Sequence, residues 1–233
     1  MKAILLFTSL MLLGGCAGQS TEGFGQLFGT STCTKPDADQ QLALNLADEM
    51  FNEGRPHARL AHLEQLPDTL AQVRLRKARV SRLLGRSEAE PLYRSLLGGC
   101  LAAEGEHGLG QLASARGDDV QALQYLQRAV HLASTDERMR NDLGVVLMSL
   151  GRFDQARFEF LTAIELKDDN PLPAVNLVTL SLLQGNWQQA TDLVGRLRLK
   201  PGQFAEAQAR ASQIKATGRG PIASASGADV VLN

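Results

Sequence analysis

Residues 143–163 read LGVVLMSLGRFDQARFEFLTA, and five features of that stretch return at a step of 34 on both sides. The columns are Leu143-Gly144, Gly151, Ala156, Phe160 and Ala163. Upstream they hold Leu109-Gly110, Gly117, Ala122, Leu126 and Ala129; downstream they hold Leu177-Val178, Gly185, Ala190, Val194 and Leu197. Columns in register over three copies mark stacked supersecondary units, none of which buries its apolar face alone. Each column has a physical reason. A small residue beside Leu lets a first helix approach a second closely. A turn Gly ends the first helix in the left-handed conformation that Gly adopts at little cost. Ala inside the second helix keeps the pair tightly crossed, and the larger residue four positions later fills the space between units.

A helix–turn–helix unit of this length with these columns resembles the tetratricopeptide repeat. The resemblance implies an all-α fold, a superhelical solenoid of about five helix–turn–helix units plus a closing helix. The departures are few: the aromatic after the turn is Phe153 and Trp187 in two copies but Asp119 in the first, and Val178 replaces the small residue in the last. Gly54 and Gly85 read as earlier turn glycines, giving spacings of 31, 32, 34 and 34. Around them the pattern predicts helices over 42–53, with Leu42, Leu46 and Met50 on one stripe, and over 58–66, 71–84 and 87–97. Prolines 36, 56, 67, 91, 171, 173 and 201 fall at helix starts or connections. Degenerate units thus occupy 36–102 and three clear repeats 103–204. A closing helix takes 205–217, its amphipathic pattern beginning at 203, with the polar outer face that a terminal repeat needs. About eleven helices are expected.

The whole-chain composition agrees. Of 233 residues, 44% are apolar and 21% charged, which excludes a disordered chain. A net charge of −1 argues against a nucleic-acid binder working through a basic surface. Aromatic residues make up only 5%, too few for an aromatic-rich β-sandwich.

The amino end reads as an address. Met1 and Lys2 precede an apolar run at 3–13, too short to span a bilayer, and then Gly14-Gly15-Cys16. Leu13-Gly14-Gly15-Cys16 resembles the bacterial lipobox, which implies a signal peptide over 1–15, cleavage before Cys16 and acylation of its sulfur and new amine. The same four letters at 97–100 lack the basic start and apolar run and are expected to be inert. Two or more acyl chains anchor a protein stably without a spanning helix. Ala17 after the cysteine implies, by the same resemblance, outer-membrane location on the periplasmic face. Residues 16–35 are Gly-, Ser- and Thr-rich and read as a tether, interrupted by Phe24, Leu27 and Phe28. Residues 218–233 read as a disordered tail.

Catalytic arrangements are weak, so neither enzyme activity, cofactor, metal site nor small-molecule substrate is expected. Gly105-Glu106-His107-Gly108-Leu109-Gly110 is Gly-rich, but no strand precedes it and its spacing is not that of a dinucleotide loop. His57 and His62 are five apart, a poor spacing for one helical face. Asp118-Asp119 and Asp168-Asp169 sit at turns, where acids cap helices. Cys33 and Cys100 are either a disulfide, natural in an exported chain, or a free thiol and a small buried apolar residue.

What remains is a surface. In the first helices, positions spaced 3, 4 and 3 apart form one inward stripe: Glu104, His107, Gln111 and Ser114, then Arg138, Asn141, Val145 and Met148, then Leu172, Val175, Thr179 and Leu182. This strip, polar at one end and apolar at the other, suits an amphipathic helix of a partner. Alternatively Leu172, Val175 and Leu182 are covered by the closing helix and are core.

A short lipobox followed by such repeats, with Asn176-Leu177, Gly185-Asn186-Trp187 and Ala190 in the final copy, resembles the TadD family of tight-adherence (Flp-type) pilus assembly lipoproteins. That resemblance implies a pilotin: a lipid-anchored protein that binds the secretin subunit or another pilus-assembly protein and holds it at the outer membrane. The alternative is an adaptor lipoprotein that recruits peptidoglycan hydrolases or other envelope enzymes.

Overall fold

Turn glycines set the architecture. Gly54, Gly85, Gly117, Gly151 and Gly185 all have φ between 67° and 78°. After each, the next amide returns to the carbonyl five residues earlier, as Arg55 does to Met50 and Arg152 to Leu147. That pairing closes a helix and reverses the chain. The computed structural model describes residues 33–217, and all the regular structure in that range is α-helical. Eleven helices follow in order: α1 (Ala38–Asn52), α2 (Pro56–Glu64), α3 (Ala71–Leu83), α4 (Ala89–Arg94), α5 (Ala102–Ala115), α6 (Asp119–Leu132), α7 (Glu137–Ser149), α8 (Phe153–Leu166), α9 (Leu172–Leu183), α10 (Trp187–Arg196) and α11 (Pro201–Thr217). The first ten make five hairpins, each odd-numbered helix packed on the even-numbered one that follows and, from α3 onward, on the one before. The eleventh lies along α9.

The expected close approach within a hairpin is present. A Cβ on Gly144 would stand 2.6 Å from Phe160 Cε1, and one on Gly110 would stand 2.7 Å from Leu126 Cγ. Phe160 is fully buried and Leu126 nearly so. The two other glycines of α5 serve the preceding unit: a Cβ on Gly105 would meet Tyr93 O at 2.9 Å, and one on Gly108 would run into the Tyr93 ring. Thus Gly105 and Gly108 make room for one large buried aromatic on α4.

Several boundaries differ from expectation. The stripe Leu42, Leu46 and Met50 is not the core face of α1: Leu42 is 69% exposed and Leu46 42%, while Leu44 and Ala47 are buried against Leu60 and Leu63 of α2. Leu46 stands in the column of Leu143, a residue flanked by the preceding unit's α6, and no described helix precedes α1. Helix α4 has six residues rather than the eleven of 87–97, because the amides of Leu96 and Leu97 reach back only three residues and Gly98 takes φ 75°. The closing helix begins at Pro201, not at 205, since proline starts a helix readily.

Before α1 the chain is a strap. Cys33 is disulfide-bonded to Cys100 with Cα atoms 5.2 Å apart. Thr34 O accepts a hydrogen bond from Gln72 Nε2 on α3 at 3.3 Å. Asp37 then opens α1 through reciprocal bonds with Gln40. The signal segment 1–15, Cys16, the tether as far as 32, with Phe24, Leu27 and Phe28, and the tail 218–233 lie outside the described residues.

Candidate functional site

The inward strip is assembled as the register requires, but it is closed. Asn141, Val145, Met148, Val175, Thr179 and Leu182 are all buried, and only Arg138 and Leu172, at one end, keep part of their surface. Val145, Met148, Val175 and Leu182 share one apolar cluster with Ala207, Ala211 and Ile214 of α11. Polar contacts fasten α11 down: Thr179 Oγ1 donates to Ala207 O at 3.4 Å, Arg210 to Asn176 Oδ1 at 2.8 Å, and Lys215 to Leu182 O at 3.2 Å. The groove expected at Arg138, Asn141, Val145, Met148, Leu172, Val175, Thr179 and Leu182 is therefore corrected: six of these residues are core, and Arg138 and Leu172 remain part-exposed at one end. Between the two sequence alternatives, coverage by the closing helix prevails for α9, while Val145 and Met148 of α7 are buried in the same apolar cluster.

A line of polar side chains threads the odd-numbered helices at this seam. Arg210 of α11 reaches Asn176 of α9, and Asn176 Nδ2 donates to Asn141 Oδ1 of α7 at 2.8 Å. Asn141 donates to Asp142, and Asp142 Oδ2 lies 2.8 Å from both His107 Nε2 and Gln111 Nε2 of α5. Buried polar groups persist where each has a partner, and these do. Nearer the helix starts, Glu104 bridges Arg79 of α3 at 2.8 Å and Arg138 of α7 at 3.0 Å, and Arg138 also pairs with Asp136 at 2.6 Å. Burial pushes the Glu104 carboxyl up, but Arg79 and Arg138 outweigh it and hold it below the ordinary range. Asp136 is likewise raised by burial and lowered further by Arg138. Asp142 is raised by burial and held low by the bond from His107.

The remaining singled-out residues do structural work. His62 Nε2 meets Ala43 O of α1 at 2.9 Å, while His57 is exposed, so the two do not converge. No group of three His, Cys, Asp or Glu side chains among the described residues is placed to hold a metal ion. Asp118 caps α6 through Gln121 N, as expected, whereas at α9 that place is taken by Asn170, whose side chain accepts from Leu172 N. Asp168 and Asp169 do not cap. Among the described residues no helix is long and apolar enough to cross a membrane.

Two openings lie between the even-numbered helices. One crevice of about 320 Å³ sits between α6, α7 and α8, floored by Leu143 and Leu147 and edged by Phe158, which is 63% exposed. A second, of about 430 Å³, sits between α2, α3 and α4, where Lys77 and Ser81 face Leu60 and Leu92. Sequence periodicity passed over this second opening, although one signal was legible: Lys77 stands eight residues before a turn glycine, where later units have Leu.

No family model matches the chain. Among solved structures it is similar to TTC0263, a thermophilic TPR protein of Thermus thermophilus, with TM-score 0.57 and 21% identity over 76% of this chain and 98% of that one. It is also similar to MamA, with TM-score 0.54 and 17% identity over 69% of this chain and 96% of the other. YrrB, described as a TPR protein with an unusual peptide-binding site, gives TM-score 0.51 and 20% identity over 72% and 90%. These likenesses show the fold, an all-α TPR solenoid. A curated relative, the TPR repeat-containing protein PA4299 of Pseudomonas aeruginosa, is 41% identical over 213 residues, 91% of this chain and 85% of its own length. With the 34-residue columns, the hairpin stack and that identity in agreement, the chain belongs to the TPR repeat protein family.

Proposed function

We propose that this TPR protein is a pilotin-like assembly lipoprotein: anchored through acyl chains on Cys16, facing the periplasm from the outer membrane, and binding the secretin subunit of a tight-adherence pilus system. TPR stacks are protein–protein interaction scaffolds, and this one works without catalysis of its own. The observation that carries the membrane half is the run Leu13-Gly14-Gly15-Cys16 behind a basic start and an apolar segment. The Cys33–Cys100 disulfide supports export, because such bonds persist in oxidising compartments. Anchoring raises the local concentration of both partners, so a modest affinity suffices.

The test is Cys16→Ser in the host. Wild type takes up labelled palmitate and fractionates with the outer membrane, and secretin rings assemble there. The variant is expected to remain folded, lose the label and leave secretin mislocalised. Normal secretin rings in that variant refute the pilotin reading. Capture of peptidoglycan hydrolases instead of secretin from solubilised envelopes transfers the protein to the adaptor reading.

A further inference from the structure

Eight residues before each turn glycine the repeat keeps a leucine: Leu46, Leu109, Leu143 and Leu177 in the first, third, fourth and fifth units. In the second unit that residue is Lys77, whose side chain is only 10% exposed. Its ammonium lies 2.6 Å from Asp68 Oδ1 on the loop before α3, and the Asp68 side chain is itself 65% exposed. Ser81 follows one turn later and is 2% exposed. Its hydroxyl has no hydrogen-bond partner among the described residues. Ser181 fills the same column in the fifth unit and does have one, donating to Leu177 O at 3.2 Å.

Lys77 and Ser81 line the 430 Å³ cavity between α2, α3 and α4. The cavity opens between α2 and α4 along the outer flank of α3, where α4 has only six residues. A lysine in the place of a core leucine loses hydration, and one solvated carboxylate replaces it only in part. An ammonium has three hydrogens to donate, and the single bond to Asp68 uses one of them.

We infer that this cavity binds an acidic peptide segment of a partner protein, one carboxylate held by Lys77 and Ser81 and the neighbouring apolar side chain held against Leu60 and Leu92. Arg74 and Arg86 also line the opening and favour an anion. Asp68, Glu64 and Glu88 also line it and oppose a second negative charge, so a single carboxylate fits better than a phosphate dianion. The crevice between α6, α7 and α8 offers the contrast: with Leu143 and Leu147 as its floor it has no buried donor for a carboxylate. This site is independent of the secretin reading, and an acidic peptide bound in the absence of any secretin leaves it standing.

The experiment is fluorescence anisotropy on the full chain with two labelled octapeptides that differ in a central Leu-Glu-Leu or Leu-Gln-Leu. The Glu peptide is expected to bind at least tenfold more tightly than the Gln peptide. Lys77→Leu and Ser81→Ala should each weaken it at least fivefold and erase the preference. Lys77→Leu restores the repeat's own core residue, so its thermal midpoint should rise, which separates lost binding from lost folding. Equal binding of the two peptides by wild type, or undiminished Glu-peptide binding by both variants, overturns the inference. So does Lys77-dependent binding of anionic phosphatidylglycerol vesicles in place of the peptide.

Discussion

His107 of α5 and Asp142 of α7 meet at 2.8 Å in the interior, 35 residues apart in sequence and almost without solvent exposure. The pair is one rung in the polar line from Gln111 to Arg210 that fixes the register of successive first helices. Removing the Asp142 carboxylate strands the side-chain donors of His107, Gln111 and Asn141 together, at a combined cost of about 3–5 kcal/mol. Asp142→Ala is therefore expected to lower stability by about that amount, more than Asn176→Ala, which breaks neutral and singly charged bonds costing about 1–3 kcal/mol. Urea midpoints of the two variants check the ranking.

Acid should attack the same seam. Glu104, Asp136 and Asp142 all have carboxyls held below their ordinary values by cationic or hydrogen-bonding neighbours after burial has been overcome. A group lowered in the folded state contributes stability that is fully present above its unfolded value of about 4 and is lost as pH falls through the folded value. Stability should hold from pH 7 to about 5 and decline below about 4, with Glu104→Gln less steep than wild type. Thermal midpoints across that range supply the measurement, and parallel slopes would remove these carboxylates as the cause.

Gly144 tests the close approach of α7 and α8. Gly144→Ala places a methyl 2.6 Å from the Phe160 ring, an overpacking worth about 1–3 kcal/mol that exceeds the helix preference gained. Phe160→Leu in the same chain should recover part of the loss, a coupling that a double-mutant cycle detects. At Gly151 the space is open but φ is 72°, so Gly151→Ala should cost about 1 kcal/mol with no such coupling to Phe160.

The disulfide joins residues 67 positions apart and ties the strap ahead of α1 to the turn ahead of α5. Loop-closure entropy for that separation corresponds to about 4 kcal/mol. Reduction by dithiothreitol should lower the denaturant midpoint accordingly, and Cys33→Ser with Cys100→Ser should match the reduced protein and be indifferent to reductant.

Much of the fold was legible in the residues because its determinants are local. A left-handed turn demands glycine where the turn occurs, so Gly54 and Gly85 marked the degenerate units as clearly as Gly117, Gly151 and Gly185 marked the regular ones. Small residues at 110 and 144 likewise announced two tight crossings. The inward strip was less legible. Val145, Met148, Val175 and Leu182 carry the period of a helix face that is not in water, and a period is silent about whether a partner or the chain's own helices cover that face.

The amino-acid sequence alone determined the 34-residue unit, the reversals between helices and the number of helices, since each follows from backbone preferences within a few residues of the glycine or leucine that expresses them. Only the tertiary structure decided that α11 covers α9, that Cys33 reaches Cys100, and that Lys77 and Ser81 stand beside an open cavity between α2, α3 and α4. Those outcomes depend on which surfaces meet across 30 to 70 residues of chain, where packing and burial, rather than local conformation, choose the partner.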